Sequence, residues 1–331
     1  MTVKLKPLHE QVIVINGASS GIGLATAKAA AKKGARLVLA SRNEEGLREA
    51  EQEVKTSGGQ AIYVVADVGK MEEVRSIAEK AEESYGGFDT WVNNAGISIY
   101  GRLLDISNED HRKLFETNFW GLVYGSQVAA LQLKSRGGSI INLGSVLSDY
   151  ALPMQGMYSA SKHAVKGFTD ALRQEIEQEK APISITLIKP ASINTPYTEH
   201  ARNYDSRENT VPPPVYPPEE VANAILYAAT HQKRDIIVGG AGKFMSATNK
   251  NAPSLMDWMG KNMFMKQQFR EDAAQNRDGA LHEHQQGGNV HGNYQGFRRG
   301  TSLYTRASTN PWITGTLLAA GAGLIAYLSR R

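Results

Sequence analysis

Residues 12–23 have the sequence Val-Ile-Val-Ile-Asn-Gly-Ala-Ser-Ser-Gly-Ile-Gly, so a short β-branched run leads directly into a glycine-rich turn. An alanine-rich helical pattern, 22–33, follows at once. Glycines in such a turn let the backbone approach a pyrophosphate, and the helix N-terminus directs N–H groups and positive potential toward it. The stretch therefore predicts a strand–turn–helix unit that binds a nucleotide. The residues expected to contact it are Gly17, Ser19, Ser20, Gly21, Ile22 and Gly23.

The alternation of short apolar runs with amphipathic stretches continues to about residue 240. Repeated strand–helix units favour a parallel sheet covered on both faces, and right-handed crossovers restrict it to an α/β doubly wound (Rossmann) sheet of about seven strands. The predicted strands are Val12–Ile15, Arg36–Ala40, Ala61–Ala66, Thr90–Asn93, Ser139–Leu143, Ile183–Ile188 and Asp235–Val238. The predicted helices are Ile22–Lys33, Glu44–Thr56, Met71–Tyr85, Asp110–Leu133, Tyr158–Gln178 and Pro218–Thr230.

The second predicted strand is followed by Ser41-Arg42-Asn43, without a carboxylate. Sites for NAD usually place an acidic residue there to hold the adenosine ribose hydroxyls. The guanidinium of Arg42 can instead pair with a 2′-phosphate through its planar fork of donors. We therefore expect NADP(H) as the coenzyme, with Ser41 and Arg42 at its adenosine end. A solvated surface arginine is the alternative interpretation.

Tyr158 and Lys162 are four residues apart in a strong helical pattern, so their side chains share one helix face. A phenol has a pKa of about 10, and a nearby positive charge lowers that pKa. Tyr158 could then exchange a proton with an alcohol or carbonyl oxygen. Ser145 follows the predicted strand 139–143, and doubly wound sheets bind ligands at the carboxyl ends of their strands. Its hydroxyl could polarise a substrate carbonyl there.

These motifs, in their order and spacing, resemble the short-chain dehydrogenase/reductase family over residues 10–240. Asn16 stands where the family often has threonine, and Ala191 stands where a glycine is common. Neither departure removes a residue expected to carry chemistry. The matching residues are the glycine turn 17–23, Asp67-Val68, Asn94-Ala95-Gly96, Asn118, Ser145, Tyr158, Lys162 and the turn Pro190–Thr195.

The resemblance implies a role for each of these residues in the interconversion of a carbonyl and an alcohol. Tyr158 would be the acid/base, Lys162 would hold the nicotinamide ribose and lower the tyrosine pKa, and Ser145 would bond the substrate oxygen. Asn118 would keep a water that links Lys162 to solvent. At the coenzyme, Asp67 and Val68 would flank the adenine, Asn94, Ala95 and Gly96 would contact the adenosine ribose, and Thr195 would contact the nicotinamide amide or the pyrophosphate.

The composition of the 331 residues excludes several classes of protein. With 41% hydrophobic residues the chain is not disordered throughout, and without cysteine it forms no disulfides, thiolate sites or zinc fingers. Residues 1–240 contain 26 Lys and Arg against 28 Asp and Glu, whereas residues 241–331 contain 11 against 5. This basic tail beside an apolar segment favours lipid headgroups over nucleic acid. The polar tract with His282, His284 and His291 is not expected to bind a metal.

The chain after residue 242 differs from the part before it, and we expect three regions. These are an NADP(H)-binding catalytic domain, 1–242, a helical and then flexible polar linker, 243–306, and a transmembrane anchor, 307–331. Residues 307–329 are uncharged, and a helix of this length spans the roughly 30 Å of a bilayer's hydrocarbon core. The alternatives to an anchor are a terminal helix packed on the domain and a helix that forms a dimer.

The sequence thus predicts a membrane-tethered NADP(H)-dependent carbonyl reductase or alcohol dehydrogenase. The catalytic domain is expected in the cytoplasm, because the N-terminus lacks the apolar run of a signal peptide. The tether favours a lipophilic small-molecule substrate, and the long loop 191–218 is expected to cover its site. The resemblance leaves a homo-oligomer open. The alternative is a nucleotide-sensing or assembly module at the membrane, which the complete set of Ser145, Tyr158 and Lys162 disfavours.

Overall fold

Seven parallel strands form one sheet in the computed structural model, which describes residues 2–285 and 288–310. The strands of the described residues are β1 (Val12–Asn16), β2 (Arg36–Ser41), β3 (Gln60–Val65), β4 (Thr90–Asn93), β5 (Ile99–Tyr100), β6 (Gly138–Leu143), β7 (Ile183–Pro190), β8 (Arg202–Asn203), β9 (Arg207–Asn209), β10 (Asp235–Val238) and β11 (Phe269–Ala273), of which β5, β8, β9 and β11 form two small separate sheets. The helices are α1 (Gly21–Ala31), α2 (Glu44–Thr56), α3 (Met71–Tyr85), α4 (Asn108–Phe115), α5 (Gly121–Arg136), α6 (Gly156–Gln178), α7 (Pro218–Ala228), α8 (Gly240–Asn251), α9 (Pro253–Met259), α10 (Met265–Gln267) and α11 (Leu303–Thr309).

The strand order of the large sheet is β10-β7-β6-β4-β1-β2-β3, which confirms the predicted doubly wound α/β fold. The order reverses at β1, which pairs with β2 on one side and β4 on the other. Ile15 is in register with both Leu39 and Val92. Ligands bind doubly wound sheets in the crevice beyond the strand ends at such a reversal. The fold therefore places a site where β1 and β4 end.

Strand β1 is buried along its whole length, because helices cover both faces of the sheet. Ile13 and Ile15 belong to the apolar cluster that includes Leu24 of α1 and Ile225 of α7. Val12 and Val14 point to the opposite face and belong to a second cluster, with α3 and α5. Burial of each such side chain stabilises the fold by about 1.5–3 kcal/mol. This two-sided burial explains why the strand is a continuous β-branched run.

The predicted helix Asp110–Leu133 is interrupted in the structure. Helix α4 ends at Phe115, a single π-helical turn covers Glu116–Trp120, and α5 begins at Gly121. Such turns insert a residue into the helical ladder and often occur at functional sites. Here the turn contains Asn118, a predicted site residue. The amphipathic period continues through the turn, so the sequence pattern indicates one helix.

The long loop 191–218 is partly ordered by short strands. Strand β8 within it pairs with β5, and β9 pairs with β11 from the C-terminal region. Residues 274–299 follow β11, and the sequence predicts them as a linker. In the structure, the described residues 274–285 and 288–299 lie against the part of the chain that precedes β11, with Arg298 bridged to Val215. This packing combines backbone hydrogen bonds with the burial of Ala280 and Leu281, and two adjacent apolar residues make no periodic pattern in the sequence.

The predicted anchor lies largely outside the described residues. Helix α11 covers its first residues and ends at Thr309, and residues 311–331 are not described. Within 2–285 and 288–310, no helix is long and apolar enough to cross a membrane.

Candidate active site

The glycine turn after β1 is shaped by close backbone contacts. A Cβ atom on Gly17 would lie 2.8 Å from Ala95 Cα, and one on Gly23 would lie 2.0 Å from Gly17 O. Gly17 also has φ = +73°, in the left-handed region. The Asn94 side chain donates hydrogen bonds to Asn16 O and Gly17 O, at 3.1 and 3.0 Å. The end of β4 thus holds the turn in a conformation that only glycine allows at positions 17 and 23.

The end of β2 places Arg42 beside the turn, at the position predicted for a 2′-phosphate. Ser41 is buried, and its hydroxyl accepts a hydrogen bond from Asn43 N at 3.1 Å. Asp67, after β3, accepts from Gly69 N at 2.9 Å. Although burial opposes the shift, this bond and the charges of Lys113 and Arg42 lower the pKa of Asp67. A carboxylate and a guanidinium therefore face the same end of the cleft.

Tyr158 and Lys162 lie on α6, with Lys162 Nζ 5.6 Å from the centre of the tyrosine ring. Lys162 is buried, and its ammonium donates to Leu143 O at 2.8 Å. Burial lowers the pKa of Lys162 to about 8. The lowered tyrosine pKa that the sequence suggested is not observed: burial raises the pKa of Tyr158 to about 12, although Tyr197 and Ser145 oppose the rise. Burial removes water from around the phenolate, and this raises the pKa of Tyr158 more than the neighbouring hydroxyls lower it.

Ser145 follows β6 and caps the 3₁₀ turn Val146–Ser148. Its Oγ accepts from Leu147 N at 3.1 Å, and its backbone N–H donates to Ser148 Oγ at 3.2 Å. These two bonds fix the hydroxyl near the Tyr158 side chain, whose pKa it affects. The arrangement presents a serine and a tyrosine hydroxyl to one region of the cleft.

Asn118 lies behind the cleft, in the π-helical turn. Its side-chain oxygen accepts a hydrogen bond from Ile97 N at 2.8 Å, and its side-chain nitrogen donates one to Ile97 O at 2.9 Å. It also donates to Ser161 Oγ at 3.2 Å. A Cβ on Gly96 would lie 3.5 Å from Asn118 Oδ1 and 3.8 Å from Lys162 Nζ, so both groups approach Gly96. Asn118 therefore connects the loop after β4 to helix α6.

A cavity of about 460 Å³ joins most of the predicted residues. Gly23 and Asn118 do not line it; each supports residues that do. The predicted residues that line the cavity are Gly17, Ser19, Ser20, Gly21, Ile22, Ser41, Arg42, Asp67, Val68, Asn94, Ala95, Gly96, Ser145, Tyr158, Lys162 and Thr195. The loop 191–218 contributes Tyr197, His200 and Val211, so its predicted place over the site is confirmed.

Sequence reasoning missed the apolar wall that packs against Val146 and Leu147, next to Ser145. Phe244 and Met245 of α8 line the cavity with Leu152 and with Phe264, which ends a second π-helical turn, Gly260–Phe264. Gln155 also lines it and accepts a hydrogen bond from Tyr197 OH at 2.8 Å. The methionine- and aromatic-rich composition of residues 243–270 indicates helices, but no spacing links them to Tyr158. The result is a largely apolar compartment beside the polar one.

Residues from the C-terminal region also reach the coenzyme end of the cavity. Ala280, His284 and Gln285 line it beside Arg42. His282, in the same segment, lies 2.8 Å from Asp110. Within the described residues, no group of three or more His, Cys, Asp or Glu side chains is arranged to hold a metal ion.

The comparisons with known proteins concern the family and the fold of the chain. The family described as short chain dehydrogenase matches residues 11–206. A relative from Bacillus subtilis, the uncharacterized oxidoreductase YxnA, is 44% identical over 99% of this chain and 93% of its own length. That match extends through the C-terminal region, well beyond the residues of the family match.

Two solved structures resemble the fold, each with a different dinucleotide. A short chain dehydrogenase/reductase from Burkholderia phymatum in complex with NAD has a TM-score of 0.69 and 26% identity, covering 76% of this chain and 96% of that one. An alcohol dehydrogenase from the archaeon Thermococcus sibiricus complexed with 5-hydroxy-NADP has a TM-score of 0.61 and 25% identity, covering 69% and 95%. Both kinds of nicotinamide dinucleotide thus occur on this fold.

Proposed function

The chain belongs to the short-chain dehydrogenase/reductase family of oxidoreductases, which bind a nicotinamide dinucleotide, and we propose that it interconverts a carbonyl and an alcohol with NADP(H). One observation carries the proposal. The cavity has the glycine turn and Arg42 at one end, and the hydroxyls of Tyr158 and Ser145 at the other. A dinucleotide held along the turn would bring its nicotinamide beside those hydroxyls.

In the proposed reaction, Tyr158 gives a proton to the carbonyl oxygen during reduction and removes it from the alcohol during oxidation. Because the pKa of Tyr158 is about 12, its proton-donating form is present at neutral pH. Ser145 donates a hydrogen bond to the same oxygen, from a hydroxyl fixed by the turn Val146–Ser148. The bound nicotinamide supplies or accepts the hydride.

Lys162 stabilises the negative charge that develops on Tyr158 as the proton leaves. Below a pH of about 8 its ammonium is charged, and it lies close enough to the ring to act on it. It is also proposed to hold the nicotinamide ribose. Asn118 is proposed to keep a water between Lys162 and solvent, because its amide anchors both the loop after β4 and the start of α6, where Lys162 lies.

The remaining predicted residues are proposed to hold the coenzyme. The glycine turn would receive the pyrophosphate, and the loop after β4 would contact the adenosine ribose. Asp67 and Val68 would flank the adenine, and Thr195 would contact the nicotinamide amide or the pyrophosphate. NADP(H) is preferred over NAD(H) in this proposal because β2 is followed by Arg42 and by no carboxylate.

We propose a lipophilic substrate, since apolar side chains surround the hydroxyls. Leu152, Phe244, Met245 and Phe264 form that compartment.

The proposed division of the chain gives residues 1–242 to the catalytic domain, and assigns residues 307–331 to a membrane anchor that leaves this domain in the cytoplasm. The uncharged run 307–329 supports the anchor. Retention of the protein in carbonate-washed membranes, lost when residues 311–331 are deleted, tests it.

The function is tested by a turnover screen of lipophilic ketones with NADPH and NADH, in the wild type and in Tyr158→Phe. We expect NADPH-linked reduction in the wild type and a fall of about 10²- to 10⁴-fold in kcat in the variant. Tyr85→Phe is the matched control, because it removes a half-buried phenol at the end of α3, outside the cavity. Unchanged turnover in Tyr158→Phe would show that another group transfers the proton.

A further inference from the structure

A segment of the C-terminal region crosses the coenzyme end of the cavity. We call residues 279–285 and 288–293 the strap. Two donors predicted for the coenzyme are bonded to it instead: Arg42 donates to Ala280 O at 2.5 Å and to His282 O at 3.2 Å. Gly21 N, at the start of α1, donates to Asn289 O at 2.9 Å. Backbone oxygens of the strap therefore accept hydrogen bonds from the guanidinium predicted to bind the 2′-phosphate and from an N–H group predicted to bind the pyrophosphate.

The strap is held by contacts that lie outside the coenzyme site. His282 Nε2 is 2.8 Å from Asp110 Oδ1, and Asp110 also accepts from Tyr204 OH at 2.8 Å. Asp110 is buried, and although its burial opposes the shift, the hydrogen bonds from His282 and Tyr204 lower its pKa. At the other end, His291 is 3.0 Å from Glu219, at the start of α7. The strap is thus fixed on both sides of the cleft.

We propose that the strap must leave Arg42 and Gly21 before NADP(H) can bind, and that it thereby controls the exchange of the coenzyme and its selectivity for the 2′-phosphate. The inference rests on the proposed function. A phosphate and a carbonyl oxygen are both acceptors, so they compete for the same guanidinium and N–H donors. NAD(H) lacks the 2′-phosphate, so its binding competes with the strap only at the turn and not at Arg42.

The chain has no cysteine, which allows the strap to be locked at a single position. His291→Cys and Glu219→Cys introduce two thiols on half-exposed side chains that lie outside the proposed catalytic and coenzyme residues. A cleavable bis-maleimide joins them in the full-length protein, and a reductant opens the link again. Binding of NADPH and NADH is followed by stopped-flow fluorescence before and after cleavage.

We expect the cross-linked protein to bind NADPH at least tenfold more slowly than the cleaved protein, with a smaller effect on NADH. The single-cysteine variants, treated with a monofunctional maleimide, should bind at the rate of the cleaved protein. His282→Ala gives an independent measurement, because it removes the contact with Asp110 without a new link. It should accelerate NADPH binding several-fold.

Equal NADPH binding rates in the cross-linked and cleaved proteins, together with no acceleration in His282→Ala, would overturn the strap proposal. A cleaved protein that binds NADH more tightly than NADPH would instead contradict the proposed coenzyme preference. The two failures are separable, because the first compares two states of the strap with one dinucleotide. The second compares two dinucleotides in one state.

Discussion

The side-chain amide of Asn94 lies 3.0 Å from the carbonyl oxygen of Gly17 and donates a hydrogen bond to it. A second bond reaches Asn16 O at 3.1 Å. The two strands at the reversal of the sheet are therefore joined at their carboxyl ends by one side chain. This link holds the turn open toward the cavity, where the shared part of any dinucleotide would bind.

Asn94→Ala should weaken the binding of both dinucleotides, because it frees the glycine turn that they share. We expect the dissociation constants of NADPH and NADH to rise together, by about tenfold. The free energy of unfolding should fall by about 1–3 kcal/mol, because two hydrogen bonds are lost. Titration calorimetry and thermal unfolding measure these effects. Asn251→Ala is the control, since it removes an exposed amide bond on α8. A loss confined to one dinucleotide would contradict this role.

Arg42→Ala should discriminate between the two dinucleotides. Charge-assisted hydrogen bonds contribute about 1.5–3 kcal/mol each, so the dissociation constant for NADPH should rise by roughly 10- to 100-fold. The constant for NADH should not rise, because the variant loses no contact with NADH and also loses its bonds to the strap. Equilibrium fluorescence titrations give both constants. Arg48→Ala serves as the control, because Arg48 is exposed on α2 and pairs with Glu44. An equal change for both dinucleotides would show that Arg42 does not contact the 2′-phosphate.

Gly23→Ala should abolish dinucleotide binding, because the added methyl group would lie 2.0 Å from Gly17 O. The turn must shift to accommodate it, and the melting temperature should fall as well. Gly167→Ala makes the same change in α6 at a position where a Cβ meets nothing within 4 Å. The free energy of unfolding of that control should equal that of the wild type or exceed it by about 0.5–1 kcal/mol. Normal binding by Gly23→Ala would mean that the turn is not the pyrophosphate site.

The pH dependence of carbonyl reduction should follow Lys162. Its pKa of about 8 predicts that kcat/KM is constant below this pH and falls about tenfold per pH unit above it, because neutral lysine no longer stabilises charge on Tyr158. Tyr158 itself keeps its proton through this range, since its pKa is about 12. Profiles from pH 6 to 10 for the wild type test the prediction.

Lys162→Met provides the comparison for that profile. It should be slower at neutral pH and show no break near the pKa of Lys162. A break that persists in the variant would assign the titration to a different group.

The strands and the site residues differ in how far the sequence could predict them. All seven strands of the large sheet were predicted, because burial on both faces requires runs such as Val12–Ile15. The positions of Ser145, Tyr158 and Lys162 also followed from motifs whose spacing is local. The single predicted helix Asp110–Leu133 was wrong in detail, since the π-helical turn at Asn118 leaves the amphipathic pattern intact.

The sequence by itself determined the sheet, the glycine turn and the identity of the chemical groups, because periodicity and local spacing encode them. Only the tertiary structure determined the apolar wall with Phe244 and Phe264, the raised pKa of Tyr158, and the strap over Arg42. Each depends on contacts between residues far apart in the chain. The pKa follows from burial. The strap bonds to Arg42 and Gly21 through backbone oxygens, and its side-chain contacts, His282 with Asp110 and His291 with Glu219, join residues too far apart in the chain to form a pattern.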